Sequence, residues 1–347
     1  MDTKNFKLNL IQCLKLIKQS SFEIDSVQIP ERSTTNSLVF ISSKELLEIA
    51  LKKSARHFII QEKIYESVSD LIPSDSNVWT TNKINQAMVE VLALFNHLEK
   101  PDQQIHPTAI IDLTVKIGKN VTIDPYVIIK KNSSIANNSW IKAHTTIESN
   151  VKIGSNTTIS SQVVIGEHCE IGNFCQIASH VTIGSQGFGF YTDNQNKHHH
   201  IPQIGKVIIE DHCDIGSHCS IDRATINETR IKSGSKFDNF AHIAHNCTIG
   251  ENAIIAGGFM VAGSTVIGKN LMTSGGVHVN GHIKIADNVV LTANAGVIHS
   301  VEQPGVYGGF PLTPHKESLR IMTSLAFLPQ LRKQVSQIMK HLGIEKE

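Results

Sequence analysis

Isoleucine recurs at every sixth position from Ile105 to Ile183, fourteen times without an exception. A helix repeats every 3.6 residues and a strand every two, so neither produces a sustained period of six. The period fits a coil of three short flat faces, each closed by a turn, with the isoleucines stacked inward as a parallel β-helix. Three hexads make one coil, so residues eighteen apart stack at roughly 4.8 Å. Four positions after each isoleucine the residue is usually small or β-branched, as at Ala109, Val115, Val121, Thr157 and Cys169. Aromatic residues make up only 5% of the chain, which suits a core of β-branched side chains better than a helical bundle.

The register breaks after Ser185, and GFGFYTDNQNKHHHIPQIG reads as an excursion from the coil over residues 186–205. Hexads resume at Ile209, Ile215 and Ile221, slip once at NETR, and continue from Ile231 to Val297. The resulting division is an α/β domain over 1–101, the coil over 102–312, and C-terminal helices over 313–347 that break at Pro329. In the first domain NLIQCLKLIKQ has helical spacing, SLVFIS and RHFIIQ read as strands, and SKELLEIALKKS between them starts a helix on Ser43. INQAMVEVLALFNHLEK reads as an amphipathic helix ended before Pro101, with the boundary at Pro101–Asp102.

Formal net charge is +1, which gives no global reason to expect a nucleic-acid partner. The six cysteines form no CxxC pair, and Cys169, Cys175, Cys213 and Cys219 fall on inward positions where packing is the expected role. The N-terminus lacks the apolar core of a signal peptide, and no run is long enough to span a membrane. These features point to a soluble protein of a reducing compartment.

The stretch FDNFAHIAHNCTIGENAIIAGGFMVAG carries the candidate chemistry. His245 is the third residue of its hexad, at an outward corner, and the residues eighteen and thirty-six later are Gly263 and Gly281. Glycine above a histidine leaves room for a substrate, and histidine suits a general base near neutral pH. The backbone N–H of Gly263 is then a candidate oxyanion donor. Asp238, one hexad back, is a candidate to orient the imidazole as a triad carboxylate does. A solvated turn histidine and an ordinary turn aspartate are the competing readings. A second constellation is His242, His278 and His282, whose spacing suits a zinc-dependent hydratase of the hexapeptide-coil carbonic anhydrase type. His198, His199 and His200 read as a solvated or substrate-edge segment, since consecutive histidines seldom share one ion.

The segments QGFGFYTD, FDNFAHIAHNCTIG, AGGFMVAGSTVIG and GGVHVNGHIKI, with the tail EQPGVYGGFPLTPHKES, resemble the UDP-3-O-acylglucosamine N-acyltransferase family of lipid A synthesis. The resemblance implies a mainly β fold, a left-handed parallel β-helix with a small N-terminal uridine-binding α/β domain and a C-terminal helical extension. It implies a cytoplasmic homotrimer with sites between neighbouring subunits. The reaction it implies moves a 3-hydroxyacyl chain from acyl carrier protein to the 2-amino group of UDP-3-O-acylglucosamine. No metal or diffusible cofactor is implied, since the donor rides on the carrier's phosphopantetheine. Residue by residue, His245 matches the family's base, Gly263 its oxyanion glycine and Asp238 the carboxylate near the base. His282 and Asn246 match substrate-contacting positions, and Thr292–Ile298 matches the edge of the acyl groove. Phe40 matches an aromatic that stacks on uracil, while Ser43 and Leu46 replace the family's asparagine and tyrosine.

Overall fold

In the computed structural model the described residues are 7–20, 23–96, 104–309 and 315–343, so the expected boundary at Pro101–Asp102 falls outside them. The chain forms two compact units, residues 1–100 and 101–347. The first holds a five-stranded sheet in the order β1–β5–β4–β3–β2, built from β1 (Lys15–Lys18), β2 (Ser26–Val27), β3 (Ser37–Ile41), β4 (His57–Gln61) and β5 (Asn77–Thr81). Strands β2 to β5 are parallel and β1 is antiparallel to β5. The β3–β4 and β4–β5 crossovers carry α1 (Lys44–Lys52) and α2 (Glu62–Val68), and α3 (Ile84–Phe95) follows β5. Ser43 caps α1 by accepting the Leu46 N–H, as its place before an apolar periodic run leads one to expect.

One expectation fails here. NLIQCLKLIKQ contributes the strand β1 rather than a helix of its own, because pairing with β5 outweighs its helical spacing. Leu8 and Ile11, just before β1, bury with Leu38, Ile59 and Trp79.

In the second unit the strands are mostly two residues long and stack in three parallel sheets of nine, ten and ten strands. This is the left-handed β-helix of hexapeptide repeats. The first face includes Thr248–Ile249, the second Lys236–Phe237 and the third His242–Ile243. In the regular half isoleucine stacks on isoleucine, Ile135 on Ile153 and Ile153 on Ile171, while above it Phe237, Val261 and Thr273 take the same positions. The stack is continuous, and Cys169, Cys175, Cys213, Cys219 and Cys247 complete its wall as buried free thiols. Each such isoleucine contributes about 1.5–3 kcal/mol of burial.

The corners repeat one conformation. The fourth residue of most hexads is left-handed, with φ of 55–66° at residues such as Asn120, Asn150, Asn246 and His282. Asparagine tolerates that region better than other non-glycine residues, which explains its frequency there. The third residue of a hexad leaves its N–H outside the sheet ladder, and at many corners an Asn or Asp one coil up caps it. Asn137 caps Lys119 at 2.7 Å, Asn173 caps Ser155 at 2.8 Å, Asn239 caps Ser217 at 2.8 Å and Asp287 caps Lys269 at 2.9 Å.

The excursion is a β-hairpin pairing Phe190–Thr192 with His198–His200. The helices α4 (His315–Leu325) and α5 (Leu328–His341) close the described chain, and Pro329 occupies the first turn of α5, where a missing N–H costs nothing. No helix among the described residues is long and apolar enough to cross a membrane.

Candidate active site

His245 stands at the corner that follows the strand His242–Ile243, and its ring is held between two glycines. A Cβ on Gly263 would lie 2.6 Å from its Cε1 and 2.7 Å from its Nε2, and a Cβ on Gly187 would lie 2.7 Å from its Cβ. The room that glycine leaves above His245 is therefore filled by the imidazole itself. Gly187 belongs to the base of the excursion, so both the regular coil and its interruption shape this pocket.

The imidazole is also oriented. His245 Nδ1 lies 3.2 Å from Asn246 Oδ1, and Asn246 is fixed at three further points. Its Nδ2 donates to Ile226 O at 3.1 Å, its Oδ1 accepts from the Thr225 N–H at 3.0 Å, and its own N–H donates to Thr229 Oγ1 at 2.9 Å. These partners decide which way the amide faces, so the atom meeting His245 is an acceptor. His245 must then carry its proton on Nδ1, which leaves the Nε2 lone pair bare. Asn246, expected to touch substrate, here sets the tautomer of the base.

Gly263 has a free donor. Among the described residues its N–H has no acceptor, because the position that supplies a cap elsewhere is Gly281, with no side chain to reach down. Ser264 and His282 continue the corner upward, donating to His245 O at 2.9 Å and Gly263 O at 3.0 Å. A bare imidazole nitrogen beside an unpaired N–H can take a proton from a nucleophile while stabilising an oxyanion.

Asp238 is not part of this constellation within the chain. It lies at the preceding corner, just after the strand Lys236–Phe237, where Oδ1 accepts the Asn239 N–H at 2.7 Å and Oδ2 the Gly257 N–H at 3.2 Å. The carboxylate near the imidazole is Asp222, 6% exposed, whose Oδ2 lies 3.7 Å from His242 Nε2. Burial pushes its carboxyl above the usual range, while the Ser185 hydroxyl, His242 and His245 draw it back down. Ser185 donates to its Oδ1 at 2.7 Å.

The zinc alternative finds no support. His242 and His278 are separated on the third face by Met260, two coils apart, and His242 faces Asp222 instead. Among the described residues no three His, Cys, Asp or Glu side chains gather to hold a metal. His198, His199 and His200 alternate along a strand, with His199 on Asp193 at 2.7 Å and His198 on Thr192 at 2.9 Å.

In the first unit Phe40 is half-buried against the cluster of Leu38, Ile59 and Trp79, while Ser43 is occupied as the cap of α1. Leu46 packs into the other cluster of this unit, with Val39, Leu47 and Phe58.

A model of the GMPPB C-terminal domain matches residues 99–187, and one of the bacterial transferase hexapeptide (six repeats) matches residues 228–259, around His245. A UDP-3-O-acylglucosamine N-acyltransferase of Dechloromonas aromatica is 50% identical over 161 residues, 46% of each chain. That of Thermosynechococcus vestitus is 45% identical over 161 residues, 46% of this chain and 48% of its own. That of Wolinella succinogenes is 36% identical over 143 residues, 41% of this chain and 45% of its own. The chain thus spans just under half the length of these curated relatives. The crystal structure of an Arabidopsis UDP-N-acetylglucosamine acyltransferase overlays with a TM-score of 0.54 at 24% identity, over 59% of this chain and 71% of that one, a likeness of fold. The chain thus winds a hexapeptide-repeat β-helix and, over less than half its length, is similar to proteins named UDP-3-O-acylglucosamine N-acyltransferase.

Proposed function

We propose that this protein transfers a 3-hydroxyacyl chain from acyl carrier protein to the 2-amino group of UDP-3-O-(3-hydroxyacyl)glucosamine in lipid A biosynthesis. The observation that carries this reading is the pairing of an oriented, bare Nε2 on His245 with the unpaired N–H of Gly263. The names of the sequence relatives supply the substrate.

The amine nitrogen attacks the thioester carbonyl, and His245 Nε2 takes the proton it sheds. Negative charge gathers on the carbonyl oxygen and is met by the Gly263 N–H. The intermediate collapses by breaking the C–S bond, and the imidazolium returns its proton to the leaving thiolate of the phosphopantetheine. Product is the amide and the free carrier thiol, with no metal or diffusible cofactor consumed. In this reading His282 contacts substrate and the edge Thr292–Ile298 takes the acyl chain, supported by Gly296, which has no atom within 4 Å of where a Cβ would stand. Phe40 is the proposed uracil contact of the first unit. The reading implies a cytoplasmic homotrimer whose sites lie between neighbouring copies.

The test is product mass spectrometry with the UDP-sugar acceptor and a panel of 3-hydroxyacyl carrier proteins. His245→Ala is expected to slow transfer by roughly 10²–10⁴-fold, the range for a lost general base. Near-normal turnover in that variant would sink the assignment.

A further inference from the structure

The coil departs from its repeat twice, and the two departures meet beneath His245. The excursion leaves after Ser185, and the slip at NETR follows Ile221, so the coil below Ile243 is offset by twenty-two residues where eighteen is the rule. Between them the ladder bulges, with Ser185 opposite Asp222 and the register shifted from Ile183 to Ser185. Bulges re-aim side chains, and this one turns a carboxylate into the site rather than out to solvent. We infer that Asp222 is a positioning residue for the proposed reaction, the fixed counter-charge to the imidazolium that His245 becomes in the transition state.

Four observations support it. Asp222 is nearly inaccessible, so its charge acts through little water and is felt strongly by its neighbours. The groups facing it are few. His242 stands 3.7 Å away, Ile221 pairs with Ile243 so that Asp222 follows one coil from the His245 corner, and Cys247 is a buried thiol that burial and the charge of Asp222 push up to about 11. Arg223, adjacent in sequence, does not neutralise it, because its guanidinium donates to Gly184 O at 2.9 Å and Glu167 O at 3.1 Å. The Ser185 hydroxyl, at 2.7 Å, favours the ionised form. A buried anion here lowers the free energy of the protonated ring without touching substrate.

This inference rests on His245 acting as the base, and its test separates the two. Asp222→Asn keeps an acceptor for Ser185 and removes only the charge. In the full-length protein kcat should fall about tenfold to a hundredfold with KM for the UDP-sugar unchanged, since one pKa unit is worth about tenfold. The acid limb of the kcat/KM profile should move to lower pH, because removing a neighbouring negative charge disfavours a protonated ring. Asp222→Glu, which keeps the charge, should restore most of both. If Asp222→Asn perturbs folding, as read by circular dichroism, Ser185→Ala should give the same direction at smaller amplitude. A wild-type kcat and pH profile in folded Asp222→Asn overturns the inference. If the wild-type protein transfers no acyl chain, NMR titration of the His242 and His245 rings decides separately. Midpoints that move down in Asp222→Asn uphold the charge coupling while the reaction fails, and unmoved midpoints overturn the inference itself.

Discussion

The coil from Ile105 to Ile183 and the coil around His245 are built from the same hexad, yet they treat their corners differently. In the first, side chains one coil up close the exposed donors, as Asn137 does for Lys119, and asparagines pair along the edge, as Asn120 does with Asn138 at 3.1 Å. At His245 the same positions are Gly263 and Gly281, and the donor stays open. A capped corner is chemically finished, whereas an uncapped one retains a hydrogen bond to give. The difference between scaffold and site here is the removal of side chains as much as the addition of a histidine.

Three substitutions put that contrast under strain. The largest effect is expected from Gly263→Ala, whose methyl would overlap the His245 ring at Nε2 and Cε1. The ring must swing away, and acyl transfer should fall by about 10²–10³-fold with the fold retained, as expected when a base and an oxyanion donor are misplaced by an ångström. Retained activity there would mean that the glycine serves only packing. Next, Gly281→Asn installs the cap that ordinary corners carry and should occupy the Gly263 N–H. Turnover should drop about a hundredfold, and a variant that turns over normally would remove that N–H from the mechanism. The smallest effect belongs to the converse change, Asn137→Gly, which uncaps Lys119 in the regular half. It should cost about 1 kcal/mol in a denaturant titration and leave turnover untouched.

Much of this is legible in the sequence. Isoleucine every sixth residue fixed the coil, and adding eighteen to His245 pointed to Gly263 and Gly281. That arithmetic works because each coil repeats the last, and it fails where the repeat is broken. Asp222 lies between an excursion and a slip, so no count from His245 arrives at it, and Gly187 sits inside the excursion with no register at all. Asp238 was drawn toward His245 by closeness in sequence, but one hexad separates the two ends of a face, and its carboxylate serves its own turn. Asn246 shows a different limit. Its position was legible, but its task depended on Thr225, Ile226 and Thr229, which reach it from the slipped segment. In the first unit NLIQCLKLIKQ was misread because its pairing partner, β5, was not itself foreseen.

Each turn of the coil is held by the turns directly beneath and above it, so the column behaves as a one-dimensional stack that frays from its ends. Gly263 and Gly281 lie in turns near the upper end, whereas Ile105–Ile183 winds below the interruption. Warming that loosens only the last turns would take the oxyanion donor from the base while most of the strands stayed wound. Inactivation by heat would then be a local event, reversible on cooling, and would precede the cooperative loss of β structure.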